Sequence, residues 1–131
     1  MFRYGKPRIL VVDDEPSICA SLRLALSRAG YDVATSYSGE EAQARLMTEP
    51  FDVMILDLRM KDMRGDVVYH IGIGAQPHLR HATVFITGDI TDKAQDLIRA
   101  TGCEVIGKPY ELSELLDHVH SLSPRVQPAS A

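Results

Sequence analysis

The chain has 131 residues, 24% of them charged and 45% hydrophobic, which is one globular domain's worth of sequence with enough apolar residues to form a core. Its formal charge of -4, from 18 acidic and 14 basic residues with no long block of either sign, argues against nucleic-acid binding as the main activity. The longest apolar runs, Ile9 to Val12 and Val53 to Leu56, fall far short of the roughly 20 residues of a membrane span.

Asp13 and Asp14 interrupt any signal-peptide core after Met1. A cytoplasmic location is therefore expected, with Cys19 and Cys103 as reduced thiols.

In chain order, residues 1–7 read as a lead-in and Arg8 to Val12 as a first strand that ends in Asp13-Asp14-Glu15. Pro16 suits the first turn of a helix, in which Ile18, Leu22, Ala25, Leu26 and Ala29 share a face and Gly30 is the stop. Tyr31 to Ser36 is a second strand, polar enough for a sheet edge. Ser38-Gly39-Glu40-Glu41 is a capping box that opens a helix to about Met47.

Asp52-Val53-Met54-Ile55-Leu56-Asp57 follows Pro50. Its unbroken apolar run fits a strand buried on both faces. Leu58 to Gly65 is a loop, and a third helix is expected from about Asp66 to Pro77. Gly72 and Gly74 weaken it, since each costs about 1 kcal/mol against Ala in a helix.

Thr83 to Thr87 is a β-branched and aromatic strand broken by Gly88-Asp89. Thr91 caps a fourth helix that turns Ala94, Leu97 and Ile98 inward and stops at Gly102. Glu104 to Ile106 is a short last strand. A fifth helix over Leu112 to Leu122 buries Leu112, Leu115, Leu116 and Val119, and 123–131 is a polar tail.

Strands alternating with helices specify a doubly wound α/β fold: a five-stranded parallel sheet with helices on both faces. Right-handed crossovers narrow the topology, and the flavodoxin-like order 2-1-3-4-5 places strands one and three together at the switch point. Their ends bring Asp13, Asp14 and Asp57 into one crevice. Two like charges about 4 Å apart repel by roughly 4 kcal/mol at an effective dielectric near 20. An acid cluster of this kind is offset by a hard divalent cation, of which Mg²⁺ is the commonest.

Thr87 ends strand four, and Lys108 follows strand five just before Pro109. A cation, a carboxylate nucleophile, a hydroxyl and an ammonium in one crevice meet the needs of phosphoryl transfer, with Asp57 attacking phosphorus.

From Arg8 to Leu122 the chain resembles a response-regulator receiver domain, the phospho-acceptor module of two-component signalling. The resemblance rests on Ile9 to Glu15, Val53 to Asp57, Asp57-Leu58-Arg59-Met60 through Gly65, Thr87-Gly88 and Lys108-Pro109. The stretch Thr83 to Asp89 also resembles receivers of hybrid sensor kinases.

The resemblance implies that Asp57 accepts a phosphoryl group from a sensor histidine kinase or a histidine phosphotransfer protein. Asp13, Asp14, Asp57 and the backbone carbonyl of Arg59 would hold Mg²⁺. Thr87 and Lys108 would contact the phosphoryl group, and the bond into Pro109 would be cis. Arg59 and Asp89 would flank the water path and tune dephosphorylation. The only reactions catalysed would be the domain's own phosphorylation and dephosphorylation. No output domain is expected in these residues, and the signal is expected to leave by protein contact or onward phosphotransfer. A homodimer through the face of helix four, strand five and helix five fits this pattern, and neither nucleic acid nor membrane is an expected partner.

Two positions depart from the family. Val105 stands at the switch position where an aromatic residue is usual, and Lys61 stands where proline is usual. Val105 is too small for a large swing, which predicts a modest response on that face.

Two other classes compete. A phosphoaspartate-type phosphatase of the haloacid-dehalogenase kind needs Asp-x-Asp on the first strand, and Asp13-Asp14 does not match it. A flavodoxin-like nucleotide- or flavin-binding module needs a phosphate-cradling loop, whereas Asp14-Glu15-Pro16 repels phosphate. His70, His78, His81, His118 and His120 lack metal-site spacing and read as surface residues.

Overall fold

Five strands, each followed by a helix, alternate along the chain: β1 (Arg8–Val12), α1 (Pro16–Arg28), β2 (Asp32–Ser36), α2 (Gly39–Thr48), β3 (Val53–Asp57), α3 (Gly65–Ala75), β4 (Thr83–Thr87), α4 (Asp92–Arg99), β5 (Glu104–Gly107) and α5 (Leu112–Leu122). A 3₁₀ turn, Pro77–His81, lies between α3 and β4. The computed structural model describes residues 5–122. The expected tail at 123–131 and most of the lead-in lie outside them.

All pairings are parallel, and the strand order is β2-β1-β3-β4-β5. β3 is central, and all five of its residues are buried, as an unbroken apolar run requires when helices cover both faces. β2 and β5 are the edges.

Local chemistry explains the helix ends. Pro16 opens α1 without any side-chain cap. Ser38 Oγ accepts the Glu41 N–H at 3.1 Å, as a capping box requires. The Glu41 carboxylate, however, accepts from Tyr37 N–H at 2.6 Å, one residue before the cap. Thr91 Oγ1 accepts from Ala94 N–H at 3.2 Å at the start of α4. After α1 and α4 the chain reverses at Gly30 (φ 102°) and Gly102 (φ 76°), a region costly for residues with a Cβ.

α3 forms despite its glycines, for a packing reason. A Cβ at Gly72 would lie 2.9 Å from the end of the Met54 side chain, so the missing side chain lets α3 settle onto β3. Gly74 faces open space.

The inward stripes are narrower than their periodicity suggests. In α4 only Ala94 and Ile98 are buried and Leu97 is half-buried. In α5 Leu115 and Val119 are buried, Leu116 is half-buried, and Leu112 is 38% exposed. Leu112 sits at the first turn of α5 and lines a groove with Ile18 and Tyr110.

Candidate functional site at the carboxyl edge of the sheet

The carboxyl ends of β1 and β3 lie side by side because the two strands pair in register from Ile9↔Val53 to Val12↔Leu56. Asp13 leaves β1 fully buried, and its N–H donates to the Ser36 carbonyl at 3.1 Å. Asp57 ends β3 and is only 4% exposed. Asp14, half-buried, completes a group in which one oxygen from each of the three carboxylates lies within 4.8 Å of the others.

Lys108 reaches the same crevice from the end of β5. Its Nζ donates to Asp13 Oδ2 at 3.0 Å and to Glu15 Oε1 at 3.2 Å, and lies 3.6 Å from Asp57 Oδ1. Its N–H donates to the Thr87 carbonyl at 2.8 Å, and the Lys108–Pro109 bond is cis. Glu15 is a partner that sequence reasoning missed. Its place directly after the acid pair was the available signal.

Charge in the crevice is unbalanced. Burial, with the nearby Asp13 charge, pushes the Asp57 carboxyl up to about 7, and Lys108 and the Arg59 N–H only partly oppose this. Burial pulls the Lys108 ammonium down. The hydrogen bond to Asp13 and the charges of Asp57 and Asp13 outweigh that, and its net shift is upward. Three carboxylates against one ammonium leave two negative charges uncompensated when all are ionised. All the donors are hard oxygens, the set that suits a small divalent cation.

Thr87, 6% exposed, ends β4 next to Asp57, and its Oγ1 accepts from Asp89 N–H at 2.9 Å. Arg59 Nε donates to Asp89 Oδ2 at 2.5 Å, which joins the loop after β3 to the loop after β4. The N–H and hydroxyl of Thr91, together with Arg59, hold the Asp89 carboxyl down at about 2. Val105 lies away from the acids, 48% exposed on β5. With Thr87, Ile90 and Ile98 it lines a cavity of about 400 Å³ beside α4.

A second close approach was not foreseen. A Cβ on Gly65 would lie 2.2 Å from the Asp57 carbonyl oxygen, so only glycine lets the loop return this close to β3.

The histidines divide. His70, His78 and His81 are exposed, with His78 Nε2 2.6 Å from the Phe51 carbonyl oxygen. His118 and His120 are half-buried. His118 Nδ1 is 2.6 Å from Glu104 Oε2, and His120 Nδ1 is 3.3 Å from the Tyr31 hydroxyl.

The sequence profile of the response regulator receiver domain matches residues 9–120. The chain belongs to that family. The receiver is 38% identical over 109 residues to the alginate biosynthesis transcriptional regulatory protein AlgB of Pseudomonas putida, covering 82% of this chain and 24% of AlgB. It is 36% identical over 110 residues to the transcriptional regulatory protein KdpE of Mycobacterium tuberculosis, covering 82% of this chain and 47% of KdpE. The receiver thus spans about a quarter to a half of the length of these relatives.

Among solved structures it is similar to a CheY-like receiver domain protein from Methanospirillum hungatei, with a TM-score of 0.83 and 24% identity over 89% of this chain and 93% of that one. It is also similar to the response regulator TrrA of Thermotoga maritima in complex with Mg²⁺-BeF, with a TM-score of 0.77 and 31% identity over 88% and 98%. The receiver is a signalling module of two-component systems. The phosphatase and flavin-binding alternatives are not favoured. Among the described residues no helix is long and apolar enough to cross a membrane.

Proposed function

We propose that Asp57 is the phospho-acceptor of this receiver, and that it takes its phosphoryl group from a phosphohistidine on a sensor histidine kinase or histidine phosphotransfer protein. The observation that carries the reading is the placement of Asp57 at the end of a fully buried strand, against Asp13 and with Lys108 Nζ 3.6 Å away. An Asp57 oxygen forms the bond to phosphorus as the N–P bond of the donor breaks, and the imidazole nitrogen that leaves takes up a proton.

Asp13, Asp14 and Asp57, with the Arg59 carbonyl, would hold Mg²⁺. When bound, Mg²⁺ offsets the clustered carboxylates and the charge on the phosphoryl oxygens. The similar response regulator TrrA, solved in complex with Mg²⁺-BeF, supports Mg²⁺ as the cation. Lys108 turns its ammonium to the phosphoryl oxygens from its place beside Asp13. The Thr87 hydroxyl accepts from Asp89 N–H and keeps its own proton free to donate to one of those oxygens. Arg59 and Asp89, paired across the two loops, shield the approach of water opposite the Asp57 oxygen and slow hydrolysis.

The signal leaves by protein contact or onward phosphotransfer, in the cytoplasm, and the face of α4, β5 and α5 is the surface available for a homodimer. The test is incubation with acetyl phosphate, with and without Mg²⁺, followed by intact mass. One added phosphoryl group, only with Mg²⁺, is expected. No addition, or addition that ignores the cation, would overturn the assignment.

A further inference from the structure

The loop from Leu58 to Arg64 carries Arg59 past the acids, yet it belongs to neither a strand nor a helix. Three ties fix it to different parts of the molecule. One is the Arg59–Asp89 pair. The second is a backbone contact: Lys61 N–H donates to Asp14 Oδ2 at 3.2 Å. The third is Asp62, whose two carboxylate oxygens accept from Gly39 N–H and Glu40 N–H, each at 3.0 Å, at the first turn of α2.

The last contact places a negative charge where the helix dipole favours one, and those two N–H groups hold the Asp62 carboxyl below the ordinary carboxylate range. Packing seals it. A Cβ on Gly39 would lie 2.5 Å from Met63 Cβ, so the loop sits directly against the start of α2.

We propose that Lys61 and Asp62 are positioning residues for the acid crevice: the loop is clasped to Asp14 on one side and to the N-terminus of α2 on the other. Asp14 is the least buried of the three clustered carboxylates, so its orientation depends most on such a bond. Proline, the residue usual at position 61 in this family, has no N–H and could not make it. Asp62 in turn anchors the backbone directly after that N–H to the first turn of α2. The clasp rests on the reading that these groups hold a divalent cation. It adds which residues outside the cluster set its geometry.

The experiment is a calorimetric titration with Mg²⁺ of the unphosphorylated protein and four variants. Lys61→Ala retains the N–H and is the reference for Lys61→Pro, which should bind about 3- to 10-fold more weakly, the worth of one hydrogen bond. Asp62→Ala should lose affinity to a similar extent, and Asp62→Asn, which keeps one acceptor oxygen, should recover part of it. Amide exchange at Gly39 and Glu40 should quicken in Asp62→Ala, which ties the loss to the contact itself. If Lys61→Pro unfolds, the Asp62 pair decides alone. Wild-type affinity in Asp62→Ala overturns the clasp. Failure of the wild-type chain to bind Mg²⁺ overturns the cation reading and the clasp with it.

Discussion

Strands β3 and β5 flank β4 on opposite sides, and each delivers a charged residue to the same crevice. β3 is buried at all five positions and ends in Asp57. β5 buries only Ile106 of its four residues and leads into Lys108. Asp57 is therefore located by packing, with the strand's backbone bonded on both sides. Lys108 is located by charge, through Asp13, Glu15 and Asp57. A carboxylate held by packing stays in place whatever its ionisation. An ammonium held by carboxylates responds when one of them changes. The proposed nucleophile sits on the fully buried strand, and the lysine proposed to respond to its charge follows the loosely packed one.

The sharpest way to break this comparison is to neutralise each partner. Asp57→Asn should abolish phosphorylation and at the same time stabilise the fold. In the native protein Asp57 titrates near 7, against an ordinary value of 3.8. Between those values the folded state keeps a proton that the unfolded chain releases. The contribution of Asp57 to the stability of the metal-free protein therefore falls as pH rises from about 4 to 7 and is flat above. Asn should remove that slope and raise stability at pH 7.5 by about 1–3 kcal/mol, or ~3–10 °C in Tm. Thermal melts of both proteins across that pH range in EDTA measure it.

Lys108→Met should act with the opposite sign, because it leaves Asp13 buried without its ammonium partner. A loss of about 1–3 kcal/mol is expected by urea unfolding, together with slower phosphorylation by acetyl phosphate. Equal stability in Lys108→Met and the wild type would contradict the view that charge holds this edge.

Smaller effects are expected at the two loops. Arg59→Ala and Asp89→Ala should each speed decay of the phosphorylated protein several-fold, since 1.36 kcal/mol in a barrier is about tenfold. The double variant should be no faster than the quicker single one. Decay followed by phosphate release checks both.

The least change is expected at Val105, which is exposed beside the cavity and has no ring to swing. Amide spectra before and after phosphorylation should shift only modestly over α4, β5 and α5. Large shifts centred on Val105 would reverse that expectation.

What could be read from the sequence follows the same division. β3 was readable because an uninterrupted apolar run has one physical explanation in an α/β chain, and with it came the acid cluster at its end. Chain alternation and crossover handedness narrowed the strand order to a few, and the flavodoxin-like order chosen among them is the one found. Contacts set by shape were not readable. Gly72 looked like a defect in α3 until Met54 appeared beneath it, and Gly65 gave no sign of its approach to the Asp57 carbonyl. Leu112 had the spacing of a core residue but is exposed at the first turn of α5. The partners of Glu15 and Asp62, Lys108 and the first turn of α2, are distant in sequence, so neither contact could be read from spacing.

The central claim is that the group fixed by packing at the end of β3 is the nucleophile, and chemical trapping tests it most directly. An aspartyl phosphate is an acyl phosphate, which borohydride reduces to an alcohol while leaving free carboxylates untouched. The protein would be treated with acetyl phosphate and Mg²⁺, reduced, digested and mapped by mass spectrometry. The reduced side chain should appear at position 57 alone. Reduction at Asp13 or Asp14, or none at position 57 in a protein whose intact mass shows a phosphoryl group, would contradict the account.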